Sequence, residues 1–190
     1  MKLIGSTTSP FVRKVILVLE DLGIPYKLEQ VTSITPDGAK KIGEHNAARR
    51  IPILETEDGS VFDSTIICEY LLEKQGKQLD IQTKLALRLI DELCDSCIIL
   101  FQQKLWKCDP NWESKFSQVQ FERVKSILAS LEKKVDKGGL HQMEKDWLFC
   151  VLDWLSFREV FNWKKGHLAL ENFYESLKDK KRYQKSAPRA

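Results

Sequence analysis

The hydrophobic pattern of this chain changes character once, across the polar residues 74–83, which contain Gly76 and carry little periodicity. Before that stretch, short apolar runs alternate with helical ones. After it, every apolar stretch repeats at helical spacing. The change predicts a mixed α/β domain over residues 1–75 and an all-helical domain over residues 84–190.

The first part reads as strand, helix, strand, helix, strand, strand, helix. Lys2 to Gly5 is a short apolar run stopped by glycine. Ser9-Pro10 opens a helix, because serine is a good N-cap and proline suits the first helical position. Phe11, Val12, Val15, Ile16, Leu19 and Leu22 follow at helical spacing, and Gly23 and Pro25 end the run. Tyr26 to Val31 reads as a second strand, and residues 35–44 as a weak helix or an irregular segment. Ile51-Pro52-Ile53-Leu54 and Val61-Phe62 flank Asp58-Gly59, a hairpin signal. Ser64 then caps a helix carrying Ile67, Tyr70 and Leu71. A βαβ unit, a hairpin and a helix make a small mixed sheet covered by helices.

Beyond the junction, helices are expected over residues 85–106, 112–135, 147–163 and 168–177. Asp109-Pro110 and Gly138-Gly139 separate the first three. Residues 147–163 are apolar on several sides and predict the buried central helix of the second domain.

Charge excludes some partners. The net charge is +3, and basic residues concentrate only near the tail, around Lys178 to Arg182. A basic stripe suited to nucleic acid is missing. Neither a membrane span nor a signal peptide is expected, which predicts a cytoplasmic protein. The cysteines are Cys68, Cys94, Cys97, Cys108 and Cys150, an odd count that fits free thiols in a reducing compartment. Cys94 and Cys97 have the spacing of a redox or metal motif, but they lie inside a helical pattern with no second pair. No metal site is expected.

Three local features carry chemistry. Ser9 stands at a helix N-terminus, where unpaired amides and partial positive charge favour an anion such as a thiolate. Pro52 enters a sheet segment, where it removes a ladder donor; a cis bond would free the backbone of Ile51 for an extended peptide ligand. Asp63-Ser64 begins the third helix, offering amides and a hydroxyl to a carboxylate and an acid to an ammonium group. Each feature taken alone reads as a helix cap or an edge-strand proline.

Their order and spacing resemble the glutathione transferase superfamily along essentially the full chain. Ser9-Pro10-Phe11 is similar to the family's Cys-Pro-Phe or Ser-Pro-Phe opening. The segment from Asn46 to Leu54 resembles its Asn-Pro-x-Gly-Lys-Val-Pro-x-Leu, and Phe62 to Leu71 resembles its (Glu/Asp)-Ser-x-Ile-Ile-x-x-Tyr-Leu. Residues 167–183 followed by Pro188 are similar to the family's last helix and tail. The opening from Lys2 to Lys14 most resembles small bacterial members of the YibF type.

The resemblance implies a thioredoxin-like βαβαββα domain followed by an all-α domain, with glutathione as co-substrate. Ser9 would face the glutathione sulfur, with Thr7 or Thr8 the next candidates. Phe11, Arg50, Ile51, Pro52, Asp63 and Ser64 would hold the tripeptide. Ile51 would pair its backbone with the cysteinyl part, Arg50 would approach the glycyl carboxylate, and Asp63 and Ser64 would take the γ-glutamyl head. Arg13 is a weaker candidate. A small hydrophobic electrophile would lie against Phe11, Phe101 or Trp106, and a homodimer is implied.

The sequence also departs from the pattern. Ala47 and Arg49 replace the usual proline and glycine, and no Ser/Thr-x-x-Asp box precedes the central helix, where Asp146 is a shifted remnant. Two alternatives remain: a stringent-starvation-type partner of RNA polymerase, and a binder of glutathione conjugates without turnover. Retention of Asp63-Ser64 and Arg50-Ile51-Pro52 favours the transferase.

Overall fold

The computed structural model describes residues 1–32 and 34–188 of the chain. They form two compact units. One is Met1–Asp80 together with the tail from Gln184, and the other is Ile81–Tyr183.

The first unit is built on a four-stranded sheet. Strand β1 (Lys2–Gly5) pairs in parallel with β2 (Lys27–Gln30) and antiparallel with β3 (Ile53–Thr56). Strand β4 (Gly59–Val61) pairs antiparallel with β3, giving the order β2-β1-β3-β4. Helix α1 (Pro10–Asp21) supplies the crossover that a parallel pair needs. In the β1–β3 register Leu3 opposes Leu54 and Ile4 opposes Ile53, and all four are buried. Neighbours along a strand point to opposite faces. Ile4 and Ile53 join Val31 and Ile42 in one apolar cluster, so α2 (Pro36–His45), which carries Ile42, covers that face. Helix α3 (Ser64–Glu73) packs against α1 and β3 on the other. Lys14 Nζ donates to Thr65 Oγ1 at 3.4 Å, tying α1 to the start of α3.

Helix α2 resolves the weak segment into full helix. Thr35 caps it, accepting from Gly38 N at 3.3 Å, and Pro36 occupies the first turn. Its sequence signal is faint because Ile42 is its one buried side chain. Charged and polar pairs supplement that contact. Lys2 lies 3.1 Å from Glu29 and 2.7 Å from Glu55, Lys41 also pairs with Glu29, and His45 Nδ1 is 2.9 Å from Glu55. Lys41 and then Lys2 hold the Glu29 carboxyl at about 2. The cap of α3 differs from expectation. Asp63, not Ser64, caps it, because the Asp63 carboxylate accepts from Thr65 N at 2.7 Å while Ser64 is already helical.

The second unit contains α4 (Ile81–Leu105), α5 (Lys115–Asp136), α6 (Gln142–Arg158) and α7 (Leu168–Leu177); the short α8 (Lys181–Gln184) follows. Helix α6 is the buried central helix, with Trp147 through Leu152, Trp154 and Leu155 all inside. It is displaced towards the N-terminus from the expected 147–163. Glu159 adopts a left-handed φ of 48° and stops it early. Its polar first turns are buried through partners. Glu144 pairs with Lys134 at 2.6 Å. Asp146 accepts from Tyr183 Oη at 2.7 Å, Arg182 Nη2 at 2.6 Å and Gln142 Nε2 at 3.0 Å. His141 Nδ1 caps the helix in place of serine or threonine, accepting from Met143 N at 3.4 Å.

Helix α7 is capped from a distance. His167 makes no side-chain cap, and Glu132 of α5 accepts instead from Ala169 N at 2.7 Å and Leu170 N at 2.9 Å. Cys94 and Cys97 are fully buried on α4, and burial pushes the Cys97 thiol far above its ordinary range. Neither presents a thiolate to solvent. Among the described residues no cluster of three metal-binding side chains occurs, and no helix is long and apolar enough to cross a membrane.

Candidate functional site

The sheet register brings three chain segments to one edge. Ile4, near the end of β1, opposes Ile53 at the start of β3, and Leu54 opposes Val61 at the end of β4. The loop leading to Ser9, the approach to Pro52 and the turn into Asp63 therefore leave the sheet at the same end.

Ser9 is the N-cap of α1, with extended backbone at φ −98° and ψ 124°. Its Oγ accepts from Val12 N at 3.4 Å, a long bond. Because the hydroxyl is the acceptor there, its own hydrogen stays available to a second acceptor. The neighbouring candidate is differently placed. Thr8 Oγ1 lies 2.9 Å from Ser6 Oγ, which also accepts from Thr8 N at 3.2 Å. Thr8 thus belongs to a local turn. Gly5 makes the turn compact, since an added Cβ would lie 2.5 Å from Val12 Cγ2. Phe11 is half-buried, with Lys14 Nζ 5.2 Å from its ring centroid. Arg13 is buried within α1 and is no surface ligand.

The second segment is organised by Asn46, whose part the sequence motif left unassigned. This buried side chain donates from Nδ2 to Arg50 O at 2.9 Å and accepts from Ala48 N at 2.9 Å. Arg49 N donates to Asn46 O at 2.8 Å, completing the turn. Its signal was its place in the quoted motif, ahead of the proline. The Ile51–Pro52 bond is cis. Ile51 packs its side chain on the Ile4 cluster, and its backbone precedes the β1–β3 ladder, whose first pair is Ile4–Ile53. Arg50 is exposed.

Arg49 occupies a left-handed φ of 52°, the conformation for which glycine is suited. A left-handed residue with a Cβ costs about 1–2 kcal/mol, and glycine's extra unfolded freedom returns roughly 0.5–1 kcal/mol. Arg49→Gly is therefore expected to stabilise the protein by about 0.5–1 kcal/mol, read from the midpoint of urea unfolding. An unchanged or lowered midpoint would refute this.

The third segment presents Asp63 and Ser64. Asp63 is exposed, and the Phe62–Asp63 bond is also cis. One carboxylate oxygen caps α3, leaving further acceptor capacity on this group. Ser64 is 3% exposed, at the first turn of α3, where backbone amides lack helical partners. The edge thus offers a hydroxyl donor, an extended backbone segment, and a paired acid and helix start. Those are the parts needed by a thiol peptide with a free amino-acid head. Phe101 and Trp106 lie in the helical unit. Phe101 is half-buried against Trp154, ring centroids 5.5 Å apart, and Trp106 is exposed just after α4.

Comparison with known proteins gives a consistent picture. Residues 3–78 match the family described as the glutathione S-transferase N-terminal domain. The uncharacterized GST-like protein YibF of Escherichia coli K12 is 27% identical, across 99% of this chain and 98% of that protein. A glutathione S-transferase of Methylobacillus flagellatus, solved with GSH bound, superimposes with a TM-score of 0.83 at 24% identity, covering 99% of each chain. One from Methylobacterium radiotolerans, in complex with glutathione sulfonate, gives 0.84 at 23% identity over 100% of this chain and 95% of that one. Likeness of fold thus spans both units.

Proposed function

We propose that this chain, whose residues 3–78 match the glutathione S-transferase N-terminal domain family, binds glutathione and transfers its thiolate to a soft electrophile. The observation that carries the reading is the shared sheet edge, where Ser9, Ile51-Pro52 and Asp63-Ser64 emerge together. In this reading Asp63 takes the glutamyl ammonium, and Ser64 with the start of α3 takes its carboxylate. The backbone of Ile51, turned at Pro52, pairs with the cysteinyl residue, and Arg50 reaches the glycyl carboxylate. Phe11 lines the approach to the sulfur. The relatives solved with GSH and glutathione sulfonate support the ligand class.

Ser9 donates its hydroxyl hydrogen to the sulfur. A free thiol near pKa 8.5 is about 3% ionised at pH 7; lowering it by about 2 units raises that to about 75%. The shift requires about 2.7 kcal/mol of preference for the anion. One hydrogen bond to a charged group supplies about 1.5–3 kcal/mol and a helix N-terminus about 0.3–1 kcal/mol. The thiol proton leaves to water. The sulfur lone pair then forms a bond to an electrophilic carbon, and the leaving group departs with its bonding pair.

A small hydrophobic electrophile, a cytoplasmic setting and a homodimer complete the proposal. None of the five cysteines forms a disulfide, which accords with a reducing compartment. Phe62 and Ile66, 41% and 53% exposed, give the first unit apolar surface for a second copy. Calorimetric titration with glutathione, followed by turnover of 1-chloro-2,4-dinitrobenzene, tests the function. Saturable binding and conjugate formation are expected. No binding heat overturns the reading, and binding without turnover of any electrophile in a panel reduces it to a conjugate-binding protein.

A further inference from the structure

Arg158 ends α6 one helical turn beyond Trp154, on the side that meets α4. Its guanidinium carbon lies 5.3 Å from the centroid of Phe101 and 4.7 Å from that of Phe157. Arg88 and Arg182 of the same unit meet carboxylates, Glu92 and Asp146. Arg158 has no such partner among the described residues, and its Nε is buried without a hydrogen-bond acceptor. A guanidinium keeps its charge in such a setting, and aromatic faces compensate it only in part. The apolar surface continues along α4, where Leu105 stands one turn beyond Phe101 and is 46% exposed.

A half-buried cation without an anion, set against Phe101 and Phe157 with exposed Leu105 one turn along α4 from Phe101, has the chemistry of an organic-anion subsite. We propose that Arg158 and these apolar neighbours bind an aromatic carboxylate on the helical unit, the anion end-on to the terminal guanidinium nitrogens and the ring against Phe101 and Leu105. Two parallel N–H donors match the two oxygens of a carboxylate, and a lysine cannot reproduce that fork. As a binding site this stands on the helical unit alone. As a preference for electrophiles that carry a carboxylate, it rests on the transferase reading.

The test is calorimetry of the full chain, without glutathione, against 3,5-dinitrobenzoate and the neutral 1,3-dinitrobenzene. The carboxylate is expected to bind at least about tenfold more tightly, the scale of one charge-assisted contact. Arg158→Gln is expected to abolish that preference while leaving affinity for the neutral arene unchanged, and Arg158→Lys to retain part of it. Equal affinity for the two compounds, binding of neither, or a preference that survives in Arg158→Gln overturns the proposal. Should Arg158→Gln fail to fold, undiminished preference in Arg158→Lys overturns the forked contact. Titrating glutathione into the same samples reports on the first unit, so failure at one site is distinguishable from failure at the other.

Discussion

Asp146→Ala lowers the stability of the chain by about 3 kcal/mol, the loss expected when one partner leaves a buried polar network. The Asp146 carboxylate is nearly inaccessible and receives three side chains: Tyr183 Oη, Arg182 Nη2 and Gln142 Nε2. Removing it strands the buried Tyr183 hydroxyl, worth about 1–3 kcal/mol alone. Arg182 is 28% exposed at its side chain, so water recovers part of its interaction. Urea unfolding measures the sum. The pair Asp146→Ala with Tyr183→Phe is expected to cost less than its two singles added, because the second change removes the orphaned hydroxyl. Strict additivity would show that Asp146 does not hold Tyr183. A second readout follows from the titration of Tyr183. Burial first, and Asp146 second, hold this phenol well above its ordinary range. Loss of Asp146 therefore moves it downward in an alkaline absorbance titration.

This network also shows what the sequence could and could not convey. The central helix was legible from Trp147 onward because its apolar residues recur on several sides. Its first turn was not, since Gln142, Glu144 and Asp146 carry no apolar period, and Glu144 and Asp146 are buried only against partners such as Lys134, Arg182 and Tyr183. Those partners are distant in sequence, and pairwise burial of charge leaves no local period. Helix α2 was obscure for the complementary reason, resting on one buried isoleucine, the Lys41–Glu29 ion pair and the His45–Glu55 contact. The sheet was easier. Gly5, Pro25 and Asp58-Gly59 punctuate it, and its apolar runs are too short for helix. At the candidate site, residue types and order were legible, together with the likeness that joined them. Register was not. Only the pairing of Ile4 with Ile53 and of Leu54 with Val61 brings Ser9, Pro52 and Asp63 to one edge. The cap of α3 is a smaller case. Asp63 and Ser64 are both good N-cap types, and one residue of backbone register decides between them.

On the proposed glutathione-binding reading, Ser9→Ala is expected to raise the pKa of bound glutathione by about 1–2 units and to leave its affinity within about threefold, since that reading holds the tripeptide chiefly at Ile51, Asp63 and Ser64. The change is confined to one oxygen. Alanine loses a cap bond that is already long, 3.4 Å from Val12 N, so the penalty to α1 is at the low end of about 0.5–2 kcal/mol. Pro10 keeps its place in the first turn, and the helix retains its N-terminal charge. What disappears is the hydroxyl hydrogen that Ser9 would donate to a thiolate. Thiolate absorbance of the complex, followed against pH, separates this role from a structural one. A cap acting only on the fold would lower the unfolding midpoint and leave the titration where it was. The rate at saturating glutathione should follow the same curve, falling about tenfold or more at neutral pH and recovering as pH rises past the new pKa. An unmoved titration would remove Ser9 from the chemistry. Thr7 would then become the donor to test, since Thr8 is already engaged with Ser6.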